Sequence, residues 1–175
     1  MLEQLLAIDR TVLLWIQENM RSDLFTPFFR LITHLGDSGM IWIFLSVFFL
    51  LFKKTRKAGF LSLISLAGSF LICNVIIKNV AARVRPYEVT PLLQLLIERQ
   101  KDFSFPSGHA SSSFASAVVL LKMLPKKIGI PCLILAILIA VSRLYVGVHY
   151  PSDVLAGILI GTMIALLTLL FSKKC

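Results

Sequence analysis

Residues 126–171 read KKIGIPCLILAILIAVSRLYVGVHYPSDVLAGILIGTMIALLTLLF, two apolar runs joined by a short polar stretch. A helix that crosses a membrane needs roughly 20 mostly apolar residues, at about 1.5 Å of rise per residue. Val154–Phe171 comes close to that length, and Ile128–Val141 reaches it if its helix continues toward Val148. The stretch therefore predicts two membrane helices, joined by a segment that contains a histidine, an arginine and an aspartate.

The rest of the chain has the same apolar character. Hydrophobic residues make up 57% of the 175, and the mean hydropathy of +0.86 exceeds that of an ordinary soluble domain. Further apolar runs lie at Met40–Phe52, Ala58–Ile77 and Phe114–Leu124, and Leu24–Leu35 is a shorter candidate for a first crossing. These features predict a single all-α integral membrane domain over residues 1–175.

The N-terminal segment, residues 1–22, has a different pattern. Its apolar residues recur at helical spacing along one face, and charged residues such as Asp9 lie elsewhere; the apolar residues are Leu2, Leu5, Leu6, Leu13, Ile16 and Met20. This pattern is typical of an amphipathic helix in the membrane interface. The segment lacks the basic region, compact apolar core and small-residue cleavage site of a signal peptide.

The distribution of basic residues predicts the orientation in the membrane. The net charge is +9, and the basic loops are Lys53–Lys57, Lys122–Lys127 and Lys173–Lys174. Excess Lys and Arg marks cytoplasmic loops, so residues 37–39, 78–105 and 146–152 are predicted on the outer side. Charge distributed in this way indicates a multi-pass protein of the plasma membrane, and no nucleic-acid partner is predicted.

The outer segment 78–105 nevertheless contains five basic residues, against this rule. Basic residues kept on the outer side indicate an anion-binding function. The predicted topology brings three clusters together on that side: Lys78 with Arg85, then Ser107-Gly108-His109, then Arg143 with His149 and Asp153. Because four helix ends meet there, we expect these residues to form one site.

The predicted site contains three fixed cations, two imidazoles and one carboxylate, without a carboxylate pair to hold a metal ion. During phosphoryl transfer, charge develops on the equatorial phosphate oxygens, and Lys and Arg can stabilise it in place of a metal ion. The composition therefore predicts phosphoryl transfer without metal or other cofactor, with Lys78, Arg85 and Arg143 binding the phosphate.

The other residues of the predicted site have distinct tasks. Ser107 is a natural N-cap, and Gly108 allows the free N–H groups of the helix start to approach an anion. Asp153 lies four residues after His149 and can fix its tautomer, which predicts His149 as the nucleophile. His109, with no nearby acidic residue, is left as the general acid.

Several other residues are assigned no function. Cys73, Cys132 and Cys175 lack ligand-like spacing, so neither a disulfide nor a metal site is predicted. Three polar residues near the outer side are interpreted as peripheral: His34, Asp37 and Glu88.

Two further segments allow two interpretations each. Pro91–Ile97 is predicted to be a short interfacial helix, or else a loop packed on the bundle. Gly157 and Gly161 form a small-xxx-small pair, which favours close packing within one bundle over dimerisation. The oligomeric state is left open.

The three clusters resemble the signature of the type 2 phosphatidic acid phosphatase (PAP2) superfamily. Its first part is Lys, six free positions and Arg-Pro, here Lys78 to Pro86. Its second part is Pro-Ser-Gly-His, here Pro106 to His109. Its third part is Ser-Arg, five free positions, His, three free positions and Asp, which matches Ser142 to Asp153. A signal of this length is far more specific than a short motif.

The resemblance implies a bundle of six transmembrane helices that hydrolyses a lipid phosphate. It implies a phosphohistidine intermediate on His149 and proton donation by His109. The short loops look like those of small bacterial members similar to phosphatidylglycerophosphate phosphatase B and undecaprenyl diphosphate phosphatases. The expected partners are the bilayer and a lipid phosphate or diphosphate, including phosphatidic acid and diacylglycerol diphosphate as further candidates.

Three alternatives stay open at this point. A lipid phosphotransferase could use the same site with an acceptor other than water. A non-enzymatic anion transporter would need charges along a continuous path, whereas the predicted charges lie in one layer. The superfamily also includes soluble vanadate haloperoxidases, but the apolar spans argue against that class.

Overall fold

The computed structural model describes residues 2–172, and within them the chain is helical without strands. The predictions on Met1, on the Leu2 side chain and on Lys173, Lys174 and Cys175 lie outside the described residues. The α-helices are α1 Leu2–Asn19, α2 Phe25–Leu35, α3 Met40–Leu50, α4 Arg56–Ser69, α5 Lys78–Ala81, α6 Pro86–Val89, α7 Gly108–Met123, α8 Lys126–Tyr145 and α9 Pro151–Phe171. A 3₁₀ turn, Asp37–Gly39, precedes α3, and a π-helix, Phe70–Ile77, joins α4 to α5.

Three helical segments among the described residues are long and apolar enough to cross a membrane: Arg56–Val89, α8 and α9. The pair formed by α2 and residues 37–50 qualifies as a fourth if it is one span, bent by 49°. The all-α membrane architecture predicted from the sequence is confirmed at this level. By itself α2 has 11 residues, about 16 Å, roughly half the thickness of a bilayer core.

Helix α7 lies at the centre and packs against α4, α8 and α9. Its buried residues are mostly alanine and serine, which allow neighbouring helices to approach closely. A Cβ atom on Gly157 of α9 would lie 2.6 Å from the backbone oxygen of Ser107, and one on Gly161 would collide with the backbone of Ser111. The glycine pair therefore serves packing between α9 and α7, the interpretation that the sequence favoured.

Hydroxyl groups link the helices inside the bundle. The Ser46 hydroxyl of α3 donates to Ser62 of α4 over 2.7 Å, and Ser62 lies 2.7 Å from the hydroxyl of Ser116 on α7. The indole N–H of Trp42 donates to Ser113 over 2.9 Å. Such contacts between helices hold α3 and α4 against α7 where lipid offers no hydrogen bonds.

Helix α1 forms where it was predicted, but its buried side is not the predicted apolar face. Leu13 and Ile16 are buried on the bundle, whereas Leu5 and Met20 of the same predicted face are exposed. Asp9, expected on the polar side, is only 2% exposed. The reason is tertiary: Arg83, a partly buried arginine, binds the Asp9 carboxylate and holds it against the bundle.

The predicted short helix at Pro91–Ile97 is wrong. The segment is an irregular loop, and the alternative of a loop packed on the bundle is correct. The side chain of Leu93 is buried in an apolar cluster with Tyr145 and Val148, and the N–H of Leu96 donates to the carbonyl of Val146 over 3.2 Å. These contacts with the α8–α9 connection replace the hydrogen bonds of a helix.

Candidate active site

The eight residues predicted from the sequence meet at one end of the bundle. Lys78 begins α5, Arg143 lies in the last turn of α8, and Asp153 lies in the first turn of α9. A cavity of about 500 Å³ is lined by six of the eight: Lys78, Arg85, Gly108, His109, Arg143 and His149. Ser107 and Asp153 stand directly behind it, joined by a hydrogen bond of 3.0 Å from the Ser107 N–H to the Asp153 carbonyl.

His149 lies in the connection between α8 and α9 with its two ring nitrogens in different surroundings. Its Nδ1 atom lies 3.5 Å from Asp153 Oδ2, and its Nε2 atom lies 3.5 Å from Arg85 Nη1 in the cavity. Asp153 is held by its own helix end, because its Oδ2 accepts the Tyr150 N–H over 2.9 Å. The carboxylate thus faces Nδ1 and leaves Nε2 toward the cavity.

The surroundings of His149 also decide its protonation. The ring is buried, and burial lowers its pKa well below the usual range. The nearby cations Arg85, Arg143 and Lys78 lower the pKa further. His149 is therefore neutral near pH 7, which is the form that can attack an electrophile.

Lys78 and Arg85 are buried and share one carboxylate, that of Asp102. Asp102 Oδ2 accepts from the Lys78 ammonium, and Asp102 Oδ1 accepts from Arg85 Nη2 over 2.6 Å. Burial alone would raise the pKa of Asp102, but the two cations overcome it and hold the pKa at about 2. Arg85 is fixed further by donating from Nη1 to the Val148 carbonyl over 2.8 Å.

Arg143 is fully buried and has spare hydrogen-bonding capacity. Its Nη1 group donates to the Thr33 hydroxyl over 2.6 Å, whereas its Nε group is buried and lacks a partner. A buried donor without a partner carries a cost that an anion in the cavity would remove. Arg143 is accordingly well suited to bind phosphate.

The first residues of α7, Gly108 and His109, line the cavity at the helix end where backbone N–H groups have no partner within the helix. The Ser107 side chain caps the helix by accepting the Ala110 N–H over 3.4 Å. A Cβ atom on Gly108 would lie 2.5 Å from Asn74 Oδ1, so a larger residue here would displace the Asn74 side chain. The Asn74 oxygen is itself buried without a partner and lies one turn before Lys78, in the π-helix. Segments of this kind are frequent at functional sites.

His109 has a carboxylate partner, so the expectation that no acid lies near it is wrong. Its Nε2 atom lies 2.9 Å from Asp37 Oδ1, and Asp37 Oδ2 lies 2.9 Å from His34 Nδ1. The interpretation of Asp37 as peripheral is corrected by the contact with His109, whereas His34 is exposed and touches this site only through Asp37. The sequence could not reveal them, because the bend between α2 and α3 brings Asp37 across 72 positions of chain.

Sequence reasoning missed further polar residues around the eight. They are Asp9, Thr33, Asn74, Arg83, Asp102 and Ser104. Arg83, Asp102 and Ser104 lie within or beside the motifs, so their proximity in sequence was a signal that could have identified them. Asp9 and Thr33 belong to α1 and α2 and carry no local signal.

The cavity continues from the charged residues into an apolar part. This part is lined by Ile43 of α3 and by Leu63, Leu66 and Phe70 on or next to α4. A single cavity thus offers buried cations at one end and aliphatic and aromatic side chains along its wall. An amphiphile with a phosphate headgroup matches both parts.

Several known proteins are similar to this chain in sequence or in fold. The sequence model of the PAP2 superfamily matches residues 58–175 of this chain. An undecaprenyl-diphosphatase from Sulfolobus acidocaldarius is 42% identical over 131 residues, which cover 73% of this chain and 62% of that protein. The match thus spans less than two thirds of that relative's length.

Two comparisons involve Bacillus subtilis. Phosphatidylglycerophosphatase B is 32% identical over 156 residues, which cover 82% of this chain and 73% of that protein. The crystal structure of a transmembrane PAP2-type phosphatidylglycerolphosphate phosphatase has a TM-score of 0.79 at 28% identity, covering 96% of this chain and 86% of that one. With three or four candidate spans among the described residues, the likeness identifies a multi-pass membrane protein.

Proposed function

This chain belongs to the PAP2 superfamily, and from that premise we propose that it is a metal-independent lipid phosphatase. The observation that carries the proposal is the cavity in which buried Lys78, Arg85 and Arg143 surround the free face of His149 and an apolar wall follows. Three cations can neutralise a phosphoryl group, and the apolar wall can hold part of a lipid chain.

The proposed first step is transfer of the phosphoryl group to His149. The Nε2 atom attacks phosphorus, the N–P bond forms, and the bond from phosphorus to the leaving oxygen breaks. His109 donates a proton to that oxygen, so that the lipid alcohol or lipid phosphate leaves. Asp153 stabilises the positive charge that the His149 ring acquires, because its carboxylate faces Nδ1.

The proposed second step is hydrolysis of the phosphohistidine. A water molecule attacks phosphorus from the side that the leaving group has vacated, and His109 accepts the proton of that water. The N–P bond breaks, inorganic phosphate is released and His149 returns to its neutral form. In both steps Asp37 holds the His109 ring through its 2.9 Å contact with Nε2.

Lys78, Arg85, Arg143 and the turn at Ser107 and Gly108 bind the phosphate in this proposal. The partnerless Nε group of Arg143 supports the assignment. Asp102 occupies both Lys78 and Arg85, so the substrate phosphate competes with a carboxylate for these two cations. The resulting site supplies the positive charge that a magnesium ion supplies in other phosphoryl-transfer enzymes.

The substrates that we propose are phosphatidylglycerophosphate and undecaprenyl diphosphate. Both place a terminal phosphate on an amphiphile, and relatives of this chain are named for each. Phosphatidic acid and diacylglycerol diphosphate have the same two parts and are further candidates.

We propose that residues 1–175 act as one domain in the plasma membrane with the site on its outer side. The six membrane helices of the proposal are α2, α3, the segment from α4 to α5, α7, α8 and α9, with α1 lying in the interface. Exposed apolar side chains on α1, namely Leu5, Ile8 and Trp15, support that position.

The side of the membrane can be tested by cysteine labelling in a cysteine-free background. Glu98→Cys lies in the loop before the Pro-Ser-Gly-His motif, and Lys54→Cys lies between α3 and α4. A membrane-impermeant maleimide added to intact cells should label the first variant and spare the second. The reverse labelling would place the site on the cytoplasmic side.

The activity can be tested by release of inorganic phosphate from both lipids in detergent micelles, with a chelator of divalent cations present. The wild-type protein should be active, and the His149→Ala variant should lose the activity together with an acid-labile phosphoenzyme. His34→Ala is the matched control, because His34 is an exposed histidine outside the cavity around His149. Undiminished activity of His149→Ala, or dependence on added magnesium, would reject the proposal.

A further inference from the structure

Asp153 has a charged partner, Arg83, besides the neutral ring of His149. Its Oδ1 atom accepts from Arg83 Nη1 over 2.5 Å, and its Oδ2 atom accepts from the Ser104 hydroxyl over 2.5 Å. Asp153 is completely buried, so both of its oxygen atoms depend on protein groups for hydrogen bonds. Oδ1 faces Arg83, and Oδ2 lies 3.5 Å from Nδ1 of His149.

Arg83 in turn binds a carboxylate of the N-terminal helix. Its Nη2 group donates to Asp9 Oδ2 over 2.7 Å, and its guanidinium lies 4.0 Å above the centre of the Tyr150 ring. Arg83 Nη1 also donates to the Ser152 hydroxyl over 2.7 Å. The guanidinium beside the start of α9 is thus in contact with Asp153, Ser152, Asp9 and Tyr150.

Asp9 completes the network from α1. Its Oδ1 atom accepts the Ser152 N–H at the start of α9 over 3.0 Å, and its Oδ2 atom accepts the Ser152 hydroxyl over 2.5 Å. A carboxylate buried in this way is expensive unless it is paired and hydrogen-bonded, and Asp9 is both. Asp9 lies outside residues 58–175, the part of the chain that matches the superfamily model.

We infer that Arg83 and Asp9 are positioning residues for the nucleophile, forming a chain His149–Asp153–Arg83–Asp9 that reaches from the cavity to α1. This inference rests on the proposed function, since it assigns the attack to His149. Arg83 holds the Asp153 carboxylate in the orientation that selects the reactive tautomer of His149. Asp9 fixes Arg83 and offsets its positive charge, which would otherwise weaken the attraction between Asp153 and the developing imidazolium.

The test uses the full chain in detergent micelles and two readouts. One is the rate of phosphoenzyme formation from a radiolabelled lipid phosphate; the other is the ¹⁵N NMR spectrum of the His149 ring, assigned with His149→Gln. The variants are Arg83→Gln, Arg83→Lys and Asp9→Asn, and the matched control is Glu18→Gln, an exposed carboxylate of the same helix. The ring spectrum responds to tautomer and hydrogen bonding, which a merely structural role would not change in a folded variant.

We expect Arg83→Gln and Asp9→Asn to slow phosphoenzyme formation at least tenfold, with KM within threefold of wild type, and to shift the His149 Nδ1 resonance. Arg83→Lys should recover most of the rate, and Glu18→Gln should behave as wild type. Folded Asp9→Asn with an unchanged rate and spectrum would overturn the inference. So would a loss seen only in KM or only in thermal stability.

If the proposed function is wrong, the same experiments give a different result. A wild-type protein that forms no phosphoenzyme would reject His149 as nucleophile. The His149 spectrum of Asp9→Asn and Arg83→Lys would still decide whether the chain from α1 orients the ring. If Arg83→Gln does not fold, these two milder variants carry the test.

Discussion

The motif-bearing part of the molecule, residues 78–153, and the N-terminal helices, residues 2–50, contribute to the same site in different ways. The first supplies the groups that line the phosphate end of the cavity, including His149 and Arg143. The second supplies partners that hold these groups, since Thr33 binds Arg143 and Asp37 binds His109. The groups proposed for chemistry thus lie in one region, and much of their orientation depends on another.

This difference teaches where substitutions should act. A residue that would contact phosphate should affect the rate most, because its effect is largest in the transition state. A partner that only orients such a residue should have a smaller effect. Substitutions of Arg143, Asp37 and Thr33 test that order, beginning with the largest effect.

Replacement of Arg143 by glutamine should reduce kcat/KM by about 10³-fold, since removing one donor to a developing oxyanion costs about 10²–10³-fold and the charge is lost as well. Phosphate release from both lipids measures the effect. Arg56→Gln, at the other end of the helical segment that leads to Lys78, is the control and should remain active. A folded Arg143 variant within tenfold of wild type would remove Arg143 from the phosphate site.

Replacement of Asp37 by asparagine should lower kcat for lipid substrates by about 10²-fold, the lower end of the usual contribution of a general acid. The reason is that this variant lacks the carboxylate that stabilises the protonated His109 ring. With p-nitrophenyl phosphate, whose leaving group needs no proton, the rate of phosphoenzyme formation should fall less than about threefold on the same reasoning.

His34→Gln is the control for Asp37, because it removes only the outer partner of the same carboxylate. It should keep most of the lipid phosphatase activity. Equal losses of the rate of phosphoenzyme formation from lipid and aryl phosphates in Asp37→Asn would show that Asp37 acts on something other than the leaving group.

Replacement of Thr33 by valine should raise KM about tenfold, because a hydrogen bond to a charged group contributes about 1.5 kcal/mol at the lower limit. The two side chains have nearly the same shape, so the fold should be retained. Thr26→Val is the control, since Thr26 of the same helix contacts the Tyr145 hydroxyl and not Arg143. A similar KM increase in both variants would indicate a general effect of α2.

The smallest effect concerns the titration of His149. An ordinary imidazole with a pKa of about 6.5 would lose roughly three quarters of its neutral form at pH 6. Because burial lowers the pKa of His149 well below that value, its ¹⁵N ring resonances should hardly change between pH 7.5 and 6. Protonation within that range would contradict the buried, cation-lined environment.

The same pKa shift has a consequence for stability. The folded protein resists protonation of His149, whereas the unfolded chain binds the proton at its ordinary pKa of about 6.5. The contribution of this group to stability is therefore present above about pH 6.5 and is lost as the pH falls below it. Thermal unfolding of wild type and His149→Gln at pH 7.5 and 5.5 measures the difference.

Much of the candidate site was predictable because its residues follow regular rules of membrane helices. Apolar runs of sufficient length predicted α8 and α9, and loop charge predicted that Lys78, His109 and His149 share one side. The convergence of these residues in one cavity agrees with that reasoning. The spacing within the third motif also placed Asp153 four residues after His149, close enough for its carboxylate to reach the ring.

Other features were not predictable, because they depend on contacts between distant parts of the chain. The segment Pro91–Ile97 has the composition of an interfacial helix, yet its packing against Val146 and Tyr145 is irregular. The amino-acid composition of the π-helix before Lys78 does not distinguish it from the α-helix that precedes it. Local propensity is weak compared with such tertiary contacts.

The sequence by itself determined the membrane class, the main apolar helices and the set of eight residues that meet at one end of the bundle. It could do so because helix length and motif spacing are local properties, and lipid excludes most alternatives to a helix. Only the tertiary structure decided that Asp37 accompanies His109 and that Asp9, through Arg83, accompanies Asp153. These pairings stabilise charged groups inside the bundle, because a charge removed from water needs an opposite charge or a hydrogen bond. The partners lie far apart in the sequence, so no local pattern predicts them.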